Sequence, residues 1–132
     1  MIVIDEKKIF EIIKERKPVS VALNGPDGLL PKVQDLALKI GKKFGIPAYL
    51  LADTTWGTCD LNSIGAKILN AEILFNIGHT SRIEIFEKNV IMIDAFDDIS
   101  FDKVTKKCIE LVRGKTISLI TDSQHLHQIE SI

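Results

Sequence analysis

Cysteine is scarce: the 132 residues hold only Cys59 and Cys108, and the two stand in unlike surroundings. Two such thiols make a poor disulfide framework, so the sequence predicts a reducing compartment, the cytoplasm. Long hydrophobic runs are also lacking. Val90–Ile93, and Ala71–Phe75 broken by Glu72, fall far short of the roughly 20 apolar residues a membrane span requires. The opening Met1–Glu6 is too short, and too soon acidic, to serve as a secretory signal. Charge of one sign is missing as well, since 17 basic residues meet 18 acidic ones for a net charge of −1. That balance leaves no basic footprint for nucleic acid and no patch for an anionic membrane. With no internal repeat, low-complexity tract or linker, residues 1–132 are expected to form one domain.

What is present suffices for a core: 45% of the residues are hydrophobic and 27% charged. Ile9, Ile12 and Ile13 repeat at helical spacing within Glu6–Lys17, and Pro18 ends that helix. Val19–Leu23 reads as a buried strand, broken by Asn24-Gly25-Pro26-Asp27-Gly28. Leu29–Phe44 is helical through Leu30, Val33, Leu36, Ala37 and Ile40, with Gly45 as its terminator. Strands are predicted at Ile46–Ala52, Ala71–Ile77, Val90–Ala95 and Thr116–Ile120, with helices at Ile64–Leu69 and Phe101–Val112. The connection His79–Asn89 has room for a short extra strand at Ile83–Phe86. Strand and helix alternating at this spacing predict an α/β fold, a three-layer sandwich around a mostly parallel four- to five-stranded sheet. The apolar strands suit a sheet buried on both faces.

In open parallel sheets ligands sit beyond the carboxyl ends of the strands. Those ends carry Cys59, His79, His125, the sole Trp56 and a surplus of Asp, Thr and Gly. The richest segment is Asp53-Thr54-Thr55-Trp56-Gly57-Thr58-Cys59-Asp60. A cysteine in such a loop, just before a helix, meets backbone N–H donors that favour the thiolate, the form that attacks electrophiles or binds metal. The same residue reads equally well as a small apolar side chain tucked beneath the loop. His79, in Gly78-His79-Thr80-Ser81, suits a proton-transfer group, a metal ligand or, most commonly, a hydrogen-bonded structural histidine. Cys59 and His79 together hint at a thiol enzyme, yet they fall short of a four-ligand zinc site. The Asn24–Gly28 loop leads into a helix N-terminus but is neither a dinucleotide fingerprint nor a P-loop, and it reads as a capped turn. Cys108 lies on a helix whose apolar face is expected to be core, and reads as structural.

Four stretches together resemble the first domain of the diphthamide-synthesis family. Gly25-Pro26-Asp27-Gly28-Leu29-Leu30 resembles that family's Pro-Glu/Asp-Gly-Leu loop. Asp53-x-Thr55-Trp56-Gly57-Thr58-Cys59-Asp60 is similar to its Asp-x-Thr-Tyr-Gly-Ala-Cys segment, with Trp56 in place of the usual tyrosine. Gly78-His79-Thr80 resembles its Gly-His-Ser/Thr turn, and Thr121–His127 resembles the opening of its second domain. The order matches the family's across Val19 to His127. The resemblance implies an enzyme that uses S-adenosylmethionine and a 4Fe-4S cluster to transfer a 3-amino-3-carboxypropyl group to a histidine of elongation factor 2. It implies Cys59 as a metal ligand, the first of three cysteines spread over three domains. It implies Asp27, Gly28, Thr55, Trp56, Gly57 and His79 as cofactor-binding residues, with 116–132 the start of a second domain.

The other two cluster cysteines have no counterpart here, because Cys108 falls outside any ligand motif. A cluster needs about three or four thiolates. The first expectation is therefore a component of 2-(3-amino-3-carboxypropyl)histidine synthesis that works with a partner chain carrying the missing cysteines. The second is a binding or oligomerisation module that self-associates and keeps the fold without the cluster. The third is a small thiol enzyme using Cys59 and His79. Met1 and the helix that soon follows read as a natural beginning, and a fragment of a longer enzyme fits the same residues.

Overall fold

The computed structural model describes residues 2–79 and 88–131. In chain order the elements are β1 (Ile2–Ile4), α1 (Glu6–Arg16), β2 (Val21–Asn24), α2 (Leu30–Phe44), β3 (Ala48–Leu50), α3 (Ser63–Ile68), β4 (Ile73–Ile77), β5 (Val90–Ile93), β6 (Ala95–Asp97) and α4 (Asp102–Val112). Short 3-10 turns lie at Asp27–Leu29 and Leu126–Ser131. Two compact units result, one of residues 4–95 and one of residues 2–3 with 96–131.

The larger unit is built on a parallel four-stranded sheet in the order β3-β2-β4-β5. Every residue of β2 and β4 is buried, which explains their nearly unbroken apolar sequence: helices must cover both faces of a parallel sheet. On one face, α2 buries Val33, Leu36, Ala37 and Ile40, the i, i+3, i+4, i+7 stripe that its sequence predicts. Gly45 ends α2 at φ 69°, its N–H donating to the Gly41 carbonyl at 3.0 Å. Alongside runs α1, capped by the Asp5 carboxylate accepting from the Lys8 N–H at 3.1 Å. The Phe10 and Phe44 rings, 5.7 Å apart, and the Lys39–Glu6 ion pair at 2.7 Å join the two helices. On the other face, Ala66 of α3 packs with Ala22, Leu51 and Leu74. The expected three layers are therefore present, around four strands.

The smaller unit departs from expectation in three respects. Ile2–Ile4, to which the sequence assigned no element, is a strand paired with β6. Thr116–Ile120, predicted as a fifth strand, is not one: these residues are exposed and have no ladder partner among the described residues. The helix α4 forms where expected, yet it buries no residue. Cys108, read as core, is consequently exposed. It helps line an apolar groove of about 270 Å³ with Phe101, Val104, Ile117, Leu119 and His125. The strand suggested at Ile83–Phe86 lies outside the described residues. Among the described residues, no helix is long and apolar enough to cross a membrane.

Candidate functional site

From β2 the chain crosses to β3 on one side and later to β4 on the other, so the strand order reverses between β2 and β4. At such a switch point the loops leaving the carboxyl ends diverge and open a crevice. Three loops of the larger unit meet there: Gly25–Leu29 after β2, Leu51–Asn62 after β3, and Gly78-His79 after β4.

The first and third are locked together. Gly78 has φ +82°, and a Cβ there would come within 2.9 Å of Leu29 Cδ1 and 3.3 Å of Pro26 Cδ. Glycine satisfies both the left-handed backbone and the close approach. Its N–H donates to the Ile93 carbonyl at 2.9 Å, which ties it to the end of β5. Gly25 approaches equally closely, since an added Cβ would lie 3.1 Å from the Ile77 carbonyl oxygen. Asp27 and Gly28 are exposed on the 3-10 turn, and nothing lies within 4 Å of a Cβ built on Gly28.

The long loop after β3 is shaped by its own polar groups. The Thr55 hydroxyl donates to the Asp53 carbonyl at 3.3 Å, and Thr55 is almost fully buried. The Trp56 N–H donates to the Asp60 carboxylate at 3.1 Å. Asn62 donates from its side-chain nitrogen to the Asp53 carboxylate and accepts from the Gly65 N–H at 3.0 Å, which caps α3. These contacts leave Trp56 86% exposed and Cys59 exposed at the rim, with Gly57 half-buried between them. The reading of Cys59 as a small apolar residue beneath the loop is thereby excluded.

His79 is half-buried, and its Nδ1 is a buried atom without a hydrogen-bond partner among the described residues. Desolvation lowers its pKa from the ordinary histidine value, and the nearby Asp60 carboxylate opposes that shift. No hydrogen bond joins His79 to Cys59 among the described residues, so the thiol–imidazole pair that a Cys–His enzyme needs is not assembled here.

The sequence reading did not single out Asn24 and Asn76. Both are fully buried and face one another in register at the carboxyl ends of β2 and β4. Their signal was visible: Asn76 is a lone polar residue inside the otherwise apolar Ile73–Ile77 run. Buried polar groups are usually bonded, so such a residue in a strand invites explanation.

One exposed thiol fits a share of an iron–sulfur cluster and not the whole of one, because such clusters take about three or four cysteine ligands. Among the described residues, no three His, Cys, Asp or Glu side chains converge to hold a metal ion. Cys108 belongs to the smaller unit.

Comparison with known proteins agrees with this architecture. The family model described as "Putative diphthamide synthesis protein" matches residues 25–132. The chain is 28% identical over 125 residues to 2-(3-amino-3-carboxypropyl)histidine synthase of Pyrococcus horikoshii, covering 91% of this chain and 36% of that protein. It is 31% identical over 90 residues to subunit 1 of the same synthase from Dictyostelium discoideum, covering 68% of this chain and 19% of that protein. The chain thus spans about a third or less of these relatives' length. Among solved structures, Dph2 from Pyrococcus horikoshii superposes with a TM-score of 0.87 at 25% identity, covering 99% of this chain and 39% of that one. The same protein with a 4Fe-4S cluster superposes equally well, at 0.87, covering 40% of that chain.

Proposed function

The chain belongs to the diphthamide-synthesis family, and from that premise we propose that it takes part in 2-(3-amino-3-carboxypropyl)histidine synthesis on elongation factor 2. Its share of that work is one thiolate, Cys59, given to a 4Fe-4S cluster whose other ligands come from elsewhere. The observation that carries this reading is the exposure of Cys59 at the rim of the switch-point crevice, where a partner's ligands have access. Thiolate is the ligand type such clusters use. Around it, Thr55, Trp56, Gly57, His79, Asp27 and Gly28 frame the mouth in which S-adenosylmethionine would sit. The relatives include proteins named subunit 1 and subunit 2, which fits a function divided between chains. Cytoplasmic placement follows from the same reading, since an exposed free thiol needs a reducing compartment.

Anaerobic reconstitution with iron and sulfide tests the proposal. Alone, the chain is expected to remain colourless. With a family partner that carries the missing cysteines, the broad visible absorbance of a cluster develops, and Cys59→Ser in this chain abolishes it. A stable complex that forms without iron, or a cluster untouched by Cys59→Ser, overturns the assignment.

A second reading, a binding or oligomerisation module without a cluster, is favoured by the apolar face of α4 and by the segment 116–120, which has no ladder partner among the described residues. Val104, Leu111, Ile117 and Ile120 are all more than half exposed there. Such a face suits association with another surface.

A further inference from the structure

Asn24 and Asn76 are each 0% exposed, yet three of their four side-chain polar atoms have no hydrogen-bond partner among the described residues. These are Nδ2 and Oδ1 of Asn24 and Oδ1 of Asn76. The fourth, Nδ2 of Asn76, lies 3.3 Å from the Met92 sulfur. A thioether only accepts, so the Asn76 amide is oriented with its NH2 toward Met92 and its carbonyl oxygen free. An unsatisfied buried polar atom is destabilising, and three on neighbouring strands need a counterpart.

Their position says what that counterpart is for. Side chains two residues apart on a strand share a face. Asn24 therefore shares its face with Ala22, and Asn76 with Leu74, the residues that pack against α3. The loop 51–62 runs from the end of β3 to the start of α3, and Leu51, which opens it, packs on this face beside Ala66. The asparagine pair is thus a buried polar patch at the carboxyl ends of β2 and β4, where the strand order reverses.

We propose that Asn24 and Asn76 recognise a small ligand group carrying an amino donor beside an acceptor. The amino group donates to both free carbonyl oxygens, and its neighbouring acceptor takes the Asn24 NH2. Sulfate, an acceptor-only anion, satisfies one of the three atoms and opposes two. The proposal rests on the S-adenosylmethionine reading above, because that molecule presents such a pair twice, at its α-amino-acid end and at the adenine edge. Since both asparagines are fully covered, binding requires the structure to open locally at this position.

Titration of the full chain by calorimetry and by fluorescence of the sole tryptophan, Trp56, decides the matter. The probes are S-adenosylmethionine, methionine, methylthioadenosine and inorganic sulfate. Asn24→Leu and Asn76→Leu are expected to keep or raise the melting temperature, since each removes an unpaired buried amide. Each is also expected to weaken S-adenosylmethionine at least about 10-fold, in line with the loss of one or two hydrogen bonds. A parallel loss for methionine assigns the amino-acid end, and a loss for methylthioadenosine assigns the adenine. Unchanged affinity in both variants, or sulfate competing with the ligand, overturns the inference while the S-adenosylmethionine reading stands. A wild-type chain that binds none of the three organic probes removes both. If a variant fails to fold, the wild type decides: ligand must slow amide exchange in 24–28 and 76–79 together, and unchanged exchange there refutes the pair as its site.

Discussion

The Asp60 carboxylate, on the loop after β3, acts on the His79 imidazole, on the loop after β4. In the sheet, β2 lies between those two strands. Burial and charge pull against each other at His79, and burial wins: the neutral imidazole is favoured.

That balance makes stability depend on pH. A histidine whose folded pKa is depressed contributes stability that is present above its unfolded value, about 6.5, and lost as pH falls through the folded value. The melting temperature of the wild type is therefore expected to fall more steeply below about pH 6.5 than that of His79→Gln. Asp60→Asn removes the opposing attraction, lowers the His79 pKa further and deepens the loss, which still begins near the unfolded value and extends to lower pH. Melting curves of the three proteins between neutral and mildly acid pH check this, and parallel curves for wild type and His79→Gln refute it.

Gly78→Ala is expected to destabilise the larger unit by about 1–3 kcal/mol, the usual cost of forcing an unsuitable backbone conformation. Its φ of +82° and the 2.9 Å approach to Leu29 Cδ1 act together. Gly28→Ala, where a Cβ meets open space, is the control and stays within about 0.5 kcal/mol of wild type. Urea denaturation of both variants gives the comparison.

Both cysteines are exposed, so the native chain is expected to release two equivalents of chromophore with a thiol reagent without denaturant. Cys59→Ser and Cys108→Ser each leave one. Because no hydrogen bond joins Cys59 to His79 among the described residues, His79→Ala leaves the Cys59 labelling rate within about twofold. A large drop in that variant would instead revive the thiol-enzyme reading.

The sheet and its loops were legible because the signals are local. Val21–Leu23 and Ile73–Phe75 are apolar runs bounded by turn residues, and the α2 stripe repeats at 3.6 residues. Cys59, His79 and Asp27 could be placed at strand ends for the same reason. Thr116–Ile120 misled because a strand needs neighbours, and propensity does not supply them. The strand β1 was missed because its partner, β6, lies about ninety residues away in the chain. Cys108 was assigned to a core by the amphipathic pattern of α4, which specifies an apolar face but not what covers it.

By itself the amino-acid order determined the alternation of strand and helix, the family motifs and the loops that hold them, all consequences of short-range periodicity and turn chemistry. Only the tertiary structure decided that Cys59 faces solvent, that His79 is partly desolvated with the Asp60 charge nearby, and that Asn24 and Asn76 are paired in register and fully buried. Burial and polar satisfaction depend on which segments distant in the chain come to lie against one another, and no local pattern encodes that.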